Sequence, residues 1–263
     1  MSNHFETAAW HGTLSRIIRA DSASEVADAL AESVGLVVDH EGTCLLAFHR
    51  DAGPEVLHHT LEPAGARHYL DRYLDGPYLL DPLYQLAMQD VKPNLCRFRE
   101  KQPDRFRSSE YYRQYCERTH LLDEMDFLSD VTSRSTLVLV VGRRKRRFSQ
   151  AELRRLEVME STVRAAMQRV WALREDPGKS AAGDRAFHER LTHSFEHFGE
   201  DVLTRRERQI SQLLLRGHSS KSIARELKIA PGTVMVHKRN LFAKLGISSQ
   251  YELFSLLIDE LGR

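Results

Sequence analysis

Apolar residues change their spacing several times along this chain, and each change marks an element. SASEVADALAESVG opens with Ser22 and Glu25 arranged as a capping box, the serine taking the amide of the third helical residue while the glutamate reaches back, so a helix is predicted there. TCLLAFHR and EVLHHTL are short runs bounded by DHEG and DAGP, which predicts two paired strands. GARHYLDRYLDG returns to helical spacing and ends on Gly76. In DPLYQLAMQD, Asp81 stands at a cap position with Pro82 as first helical residue, where its missing N–H costs nothing. SSEYYRQYCERTH reads as a further helix. MDFLSDV and STLVLVVGRR read as a second strand pair, the latter apolar throughout and therefore central in its sheet. FSQAELRRLEVMESTVRAAMQRVWALRE starts with a second capping box, Ser149 and Glu152, and carries Leu153, Leu156, Met159, Val163, Met167 and Val170 on one stripe. Such a helix outlasts the needs of a small domain; it can extend the core, bridge to a second domain or pair with another subunit, and pairing is the favoured reading.

Helix, two strands, helices, two strands and a long helix make an α+β domain with an antiparallel sheet over residues 1–175. EDPGKSAAGD then has linker composition, Pro, Gly, Ser and Ala without apolar period. Within the linker, 176–202, Phe187, Leu191, Phe195 and Phe198 recur at helical spacing, so DRAFHERLTHSFEHF is read as a short amphipathic helix; His188, His193 and His197 are assigned to its solvated face. Residues 203–263 contain four further helices with marked ends. TRRERQISQLLLRG has the box Thr204 and Glu207 and stops at Gly217. SSKSIARELKI follows closely, APGTVMVHKRNLFAKLG is closed by Gly246, and SSQYELFSLLIDELG repeats the box with Ser249 and Glu252.

Charge sharpens this division. From Leu203 onward there are 11 Lys and Arg against 5 Asp and Glu, which leaves 27 against 32 for the first 202 residues, so the near-neutral total hides a basic C-terminal module. A polyanion is the expected partner of that module alone. Two short helices joined by IAPG, the second bearing Lys238, Arg239 and Lys244 and no acid, form the pattern of a helix-turn-helix. On a 3.6-residue period Val234, His237, Leu241 and Leu245 share one face, which suffices for a core; Met235, Val236, Arg239 and Ala243 fall elsewhere and are free to enter a groove.

The run LTRRERQISQLLLRGHSSKSIARELKIAPGTVMVHKRNLFAKLGISS resembles the DNA-binding domain of LuxR-type transcription regulators, matching L-T-x-R-E, then G-x-S-x-K-x-I-A-x-x-L through Gly217, Ser219, Lys221, Ile223, Ala224 and Leu227, then T-V-x-x-H-x-x-N with Thr233, Val234, His237, Asn240, Lys244 and Leu245. The resemblance implies an all-α four-helix module whose third helix lies in the major groove of double-stranded promoter or operator DNA. It implies that Met235, Val236 and Arg239 face bases while Lys221, Thr233, His237, Lys238 and Lys244 lie near phosphates. The chemistry is sound: an arginine bonds guanine O6 and N7 together, apolar tips pack on thymine methyls, and lysines at phosphates add affinity without reading sequence. Two positions depart from the family pattern: Ala230 replaces a Ser or Thr cap before Pro-Gly, and Met235 replaces a common basic residue.

The first domain resembles, more loosely and over roughly residues 20–172, the GAF-like input domains found before many LuxR-type modules. That implies a cavity between sheet and helices for a small-molecule effector. Tyr78, Asp81, Tyr84, Tyr111, Tyr112, Glu124 and Asp126 are the candidates to line it, and their carboxylates point to a cationic or amine ligand. Asp81 is equally explained as a helix cap, and Asp123, Glu124 and Asp126 as a solvated strand entry. An acyl-homoserine-lactone domain is an alternative, with Asp81-Pro82 in place but Trp10 and Trp171 outside the expected region. A domain that only contacts proteins is another. The element order argues against a phosphoacceptor receiver, and no Ser/His/Asp order, G-x-G-x-x-G, phosphate loop or metal spacing supports an enzyme. No cofactor or metal is expected. Cys44, Cys96 and Cys116 form no framework or C-x-x-C pair, and no apolar stretch reaches the length of a membrane span, so a cytoplasmic protein is expected. The resemblance to LuxR-type regulators implies a homodimer, touching RNA polymerase if it activates.

Overall fold

A computed structural model of the chain describes residues 4–61, 70–175 and 180–261. Five strands form one antiparallel sheet: β1 (Gly42–His49), β2 (Glu55–His59), β3 (Leu95–Arg97), β4 (Asp123–Thr132) and β5 (Ser135–Arg143), in the order β2-β1-β5-β4-β3. The apolar β5 is the middle strand, as its composition predicts. β3, three residues long, is too short to leave a readable period.

Alternation divides the strands between two cores. Leu45, Phe127 and Leu139 point to a layer made by α1 (Ala8–Arg19), α2 (Ala23–Val37) and the long α4 (Gln150–Leu173), whose Val26, Leu30, Leu156 and Val163 are fully buried. The helix α1 is absent from the sequence reading; the Thr7 side chain caps it by accepting from the Trp10 amide, and only Trp10, Thr13 and Ile17 are buried on it, a sparse stripe. At the start of α4 the Ser149–Glu152 box forms as expected, and Arg143 and Arg146 converge on the same Glu152. Burial opposes ionisation of Glu152, but those guanidinium groups and the Ser149 amide outweigh it and hold the carboxyl well below the usual range.

The opposite sheet face, with Cys44, Leu46, Phe48, Leu128 and Val138, is covered by the chain between β2 and β4 and continues without a break into the core of the C-terminal module. Helix α3 (Pro82–Ala87) is capped by Asp81 as expected. Of GARHYLDRYLDG, the first five residues lie outside the described residues; the remainder makes one turn, Arg72–Leu74, before Gly76. SSEYYRQYCERTH is helical but irregular, a π-turn over Tyr112–Cys116 followed by a 3-10 turn over Glu117–Thr119.

Within the linker, α5 (Ser180–His197) is longer than expected and is turned about its axis from the expected pose. Leu191, Phe195 and Phe198 are buried, but Phe187 is 38% exposed and His188 only 3%. The assignment of His188 to solvent is therefore corrected: its Nδ1 is 2.7 Å from the Tyr78 hydroxyl, and the rings stack. The C-terminal module comprises α6 (Arg205–Leu215), α7 (Ser220–Glu226), α8 (Pro231–Leu245) and α9 (Gln250–Leu261). The Thr204–Glu207 box is complete, and α6 ends in a Schellman motif, with the Gly217 amide on Leu214 and the His218 amide on Leu213. Ala230 gives α8 no side-chain cap, as its methyl dictates.

Candidate nucleic-acid interface and ligand cavity

The surface of α8 is set by its burial pattern. Val234 and Leu241 are fully buried against Ile210, Ile223 and Leu253, which fixes the helix's rotation. That rotation leaves Met235 61% and Val236 47% exposed, with Arg239 also exposed. Two adjacent apolar side chains held in water beside a free guanidinium form a surface suited to thymine methyls and guanine edges. Thr233 and Lys221, the latter on α7, are exposed nearby; His237 and Lys238 are half-buried. Burial, then the neighbouring Arg105 charge, lowers the Lys238 ammonium below its ordinary value, and its Nζ sits 5.3 Å from the Phe242 ring centre. Lys244 is placed differently from the others. It is exposed, and its ammonium bonds Glu207 at 2.7 Å, reaching the capping box of α6 across the module, so it has a structural partner as well.

In the N-terminal domain a cavity of 530 Å³ lies over the β1–β5–β4 face. Leu46, Leu70, Leu83, Leu121 and Val140 line it, together with the carboxylates of Asp81 and Glu124. A smaller cavity of 60 Å³ shares Asp81 and Glu124 and adds Tyr111 and Tyr112. Asp126 lines neither; it is fully buried two residues along β4, opposite Cys96. Tyr78 and Tyr84 also line neither cavity. Their rings pack edge to face, 5.2 Å between centres, and Tyr78 is taken by His188 of α5. The sequence could not show this, because it depends on α5 folding back over the sheet. The polar residues it missed, Glu41, Thr43, Arg72, Tyr73, Gln114, Tyr115, Thr119 and Arg144, come from four separate stretches of chain and carry no local signal. Tyr73 alone was foreseeable, lying eight residues before Asp81.

The acids are strongly coupled. Asp81 accepts from the Leu83 amide and from the Tyr73 hydroxyl, each at 2.8 Å, yet burial pushes it up to about 6. Burial, then Asp81, raises Glu124; burial, then Glu124, raises Asp126, since neighbouring buried carboxyls resist ionising together. Both are thus acids inside the domain and not a solvated strand entry. Among the described residues no group of three His, Cys, Asp or Glu is placed to hold a metal ion.

Residues 201–257 match the family described as bacterial regulatory proteins, luxR family. The C-terminal module belongs to that family. The chain is 47% identical over 60 residues to the transcriptional regulatory protein UhpA of Escherichia coli, a match covering 23% of this chain and 31% of UhpA. A longer similarity, 29% identity over 186 residues, joins 69% of the chain to 94% of a putative HTH-type transcriptional regulator of Aeromonas salmonicida. The N-terminal domain shares its fold with the VqsR LBD domain of Pseudomonas aeruginosa, with a TM-score of 0.56 at 24% identity over 64% of this chain and all of that one. The chain therefore joins a C-terminal luxR-family module to an N-terminal domain with the fold of that LBD. Among the described residues no helix is long and apolar enough to cross a membrane.

Proposed function

We propose that this LuxR-type regulator binds a two-fold operator as a homodimer, reads bases with Met235, Val236 and Arg239 of α8, and is controlled by a small cationic or amine ligand in its N-terminal cavity. Residues 1–175 then form the sensor, 176–202 the connection and 203–263 the reader. The observation that carries the DNA reading is the exposed Met235–Val236–Arg239 face on a helix whose other side is locked in a core. Lys221, Thr233, His237 and Lys238 flank it as phosphate contacts; Lys244 contributes by holding α6 and α8 together.

The ligand class follows from the acids. Asp81 and Glu124 face the cavity with raised proton affinity, between an apolar side of Leu46, Leu83 and Val140 and polar Thr43, Tyr73 and Gln114. Glu124, pushed up to about 8 by burial and then by Asp81, keeps its proton near neutral pH for want of a cation and becomes a strong binding group once one arrives. Calorimetric titration of the full chain with a panel of primary and quaternary amines near neutral pH should find a binder. Because a cation favours the ionised acids, binding releases protons, and the measured heat should vary with the ionisation heat of the buffer. Silence across the panel, or binding without proton release, would remove the amine reading and favour a neutral ligand.

A further inference from the structure

The charged side chains that line the larger cavity are Glu41, Arg72, Asp81, Glu124 and Arg144, and they are sorted by sign. Asp81 and Glu124 also border the smaller cavity, whereas Glu41, Arg72 and Arg144 do not, so the acid pair and the guanidinium groups occupy different ends of the larger space. Arg99 and Arg107 border the smaller cavity and not the larger. The strand register gives the spacing. Glu124 of β4 is paired with Gly142 of β5, and Arg144 follows two positions later, about 7 Å further along the strand direction. A Cβ on Gly142 would lie 2.7 Å from Leu121 Cδ2, so the Leu121 side chain fills the place between the acid and the guanidinium. The floor between the two charged ends is therefore apolar.

The guanidinium end is open to an anion. In the basic run that follows β5, Arg143 binds Glu152, and Arg146 binds Glu152 and Asp39. Arg144 is exposed, and among the described residues its side chain forms no ion pair; only its backbone amide is taken, donating to Glu41 at 2.8 Å. Arg72 is half-buried, its guanidinium carbon 5.4 Å from the centre of the Tyr115 ring. Two guanidinium groups against the one carboxylate of Glu41 leave this end positive. The other end holds two acids and, among the residues lining the larger cavity, no base.

We propose that the effector is amphoteric, an amine joined by an apolar chain to a carboxylate, with its ammonium at Asp81 and Glu124 and its carboxylate between Arg72 and Arg144. This deepens the amine reading of the cavity and rests on it. Entry in the reverse sense would set the carboxylate against two acids and the ammonium against two guanidinium groups, so the charges fix one orientation. The offset of about 7 Å asks for several methylene groups between the ligand's charges, which favours ω-amino acids over α-amino acids.

The test is calorimetric titration of the full chain with two matched series, straight-chain ω-amino acids and n-alkylamines of four to eight carbon atoms. At one length or more the ω-amino acid should bind roughly three- to tenfold more tightly than its alkylamine, as a partly exposed carboxylate–guanidinium contact would give. Arg144→Gln should shrink that preference to less than twofold. Arg72→Gln should shrink it as well, with circular dichroism to confirm folding because Arg72 packs on Tyr115. Alkylamines that bind as tightly as the ω-amino acids at every length overturn the amphoteric effector and leave the amine reading standing. A preference that survives in both variants overturns the placement of the carboxylate, and silence of both series overturns the amine reading and this inference together.

Discussion

Asp81 illustrates how one residue serves structure and chemistry together. Its Oδ1 caps α3 while its Oδ2 accepts a hydrogen bond from the Tyr73 hydroxyl, and burial still raises its proton affinity. The sign of the consequence is fixed. Below about pH 4 the folded and unfolded forms both hold the proton; from there to about pH 6 only the unfolded form loses it, so stability falls as pH rises through that window. The cost is about 2 to 3 kcal/mol by pH 7. Asp81→Asn retains an acceptor for the Leu83 amide and has no proton to lose. Thermal melts of ligand-free protein should show this part of the slope between pH 4 and 6 abolished, leaving the variant as stable as, or more stable than, the parent at pH 7. A variant that is weaker at every pH would show that the tyrosine bond matters more than burial. The cap itself was legible in Asp81-Pro82. Its burial was not, because only the fold brings Leu83, Tyr73 and Glu124 around it.

At the level of elements, helix ends were the most legible features, since a capping box is a local contract between residues three apart. Ser149–Glu152 and Thr204–Glu207 both form. Each glutamate, however, also has a distant partner that no local pattern contains, Arg143 in one case and Lys244 in the other. Lys244 therefore reads as a phosphate contact in the sequence and as a brace in the structure. Glu207→Ala removes a cap and leaves that ammonium unpaired, and should destabilise the C-terminal module by about 1 to 2 kcal/mol in denaturant melts. A loss of duplex affinity without any loss of stability would restore Lys244 to the phosphates. What the pattern missed, α1 and β3, has few buried residues or few residues in all. The irregular stretch at Tyr112–Cys116 looked helical because a π-turn keeps nearly the same apolar spacing.

At the scale of the whole molecule, composition announced two modules through charge, and their separate folds followed. Their packing did not. The sheet face that carries Cys44, Leu46 and Phe48 runs into the core of the DNA-binding module, with α5 between them pinned by the Tyr78–His188 pair. Contacts of such sequence separation leave no periodic trace, and the buried His188 looked like one of three solvated histidines. The structure places an acid-lined cavity, an aromatic cluster and a basic helical module in one continuous body, the arrangement that the proposed ligand control requires.

The central claim, that α8 reads sequence, is tested most directly by selecting duplexes from a random pool with the full chain. The account predicts enrichment of a two-fold motif, and in Arg239→Ala a preference relaxed by about 1 to 3 kcal/mol at one position of each half-site, with the others kept. No enrichment, or an equal loss of affinity for every duplex in Arg239→Ala, would contradict it and reduce α8 to a phosphate-binding helix.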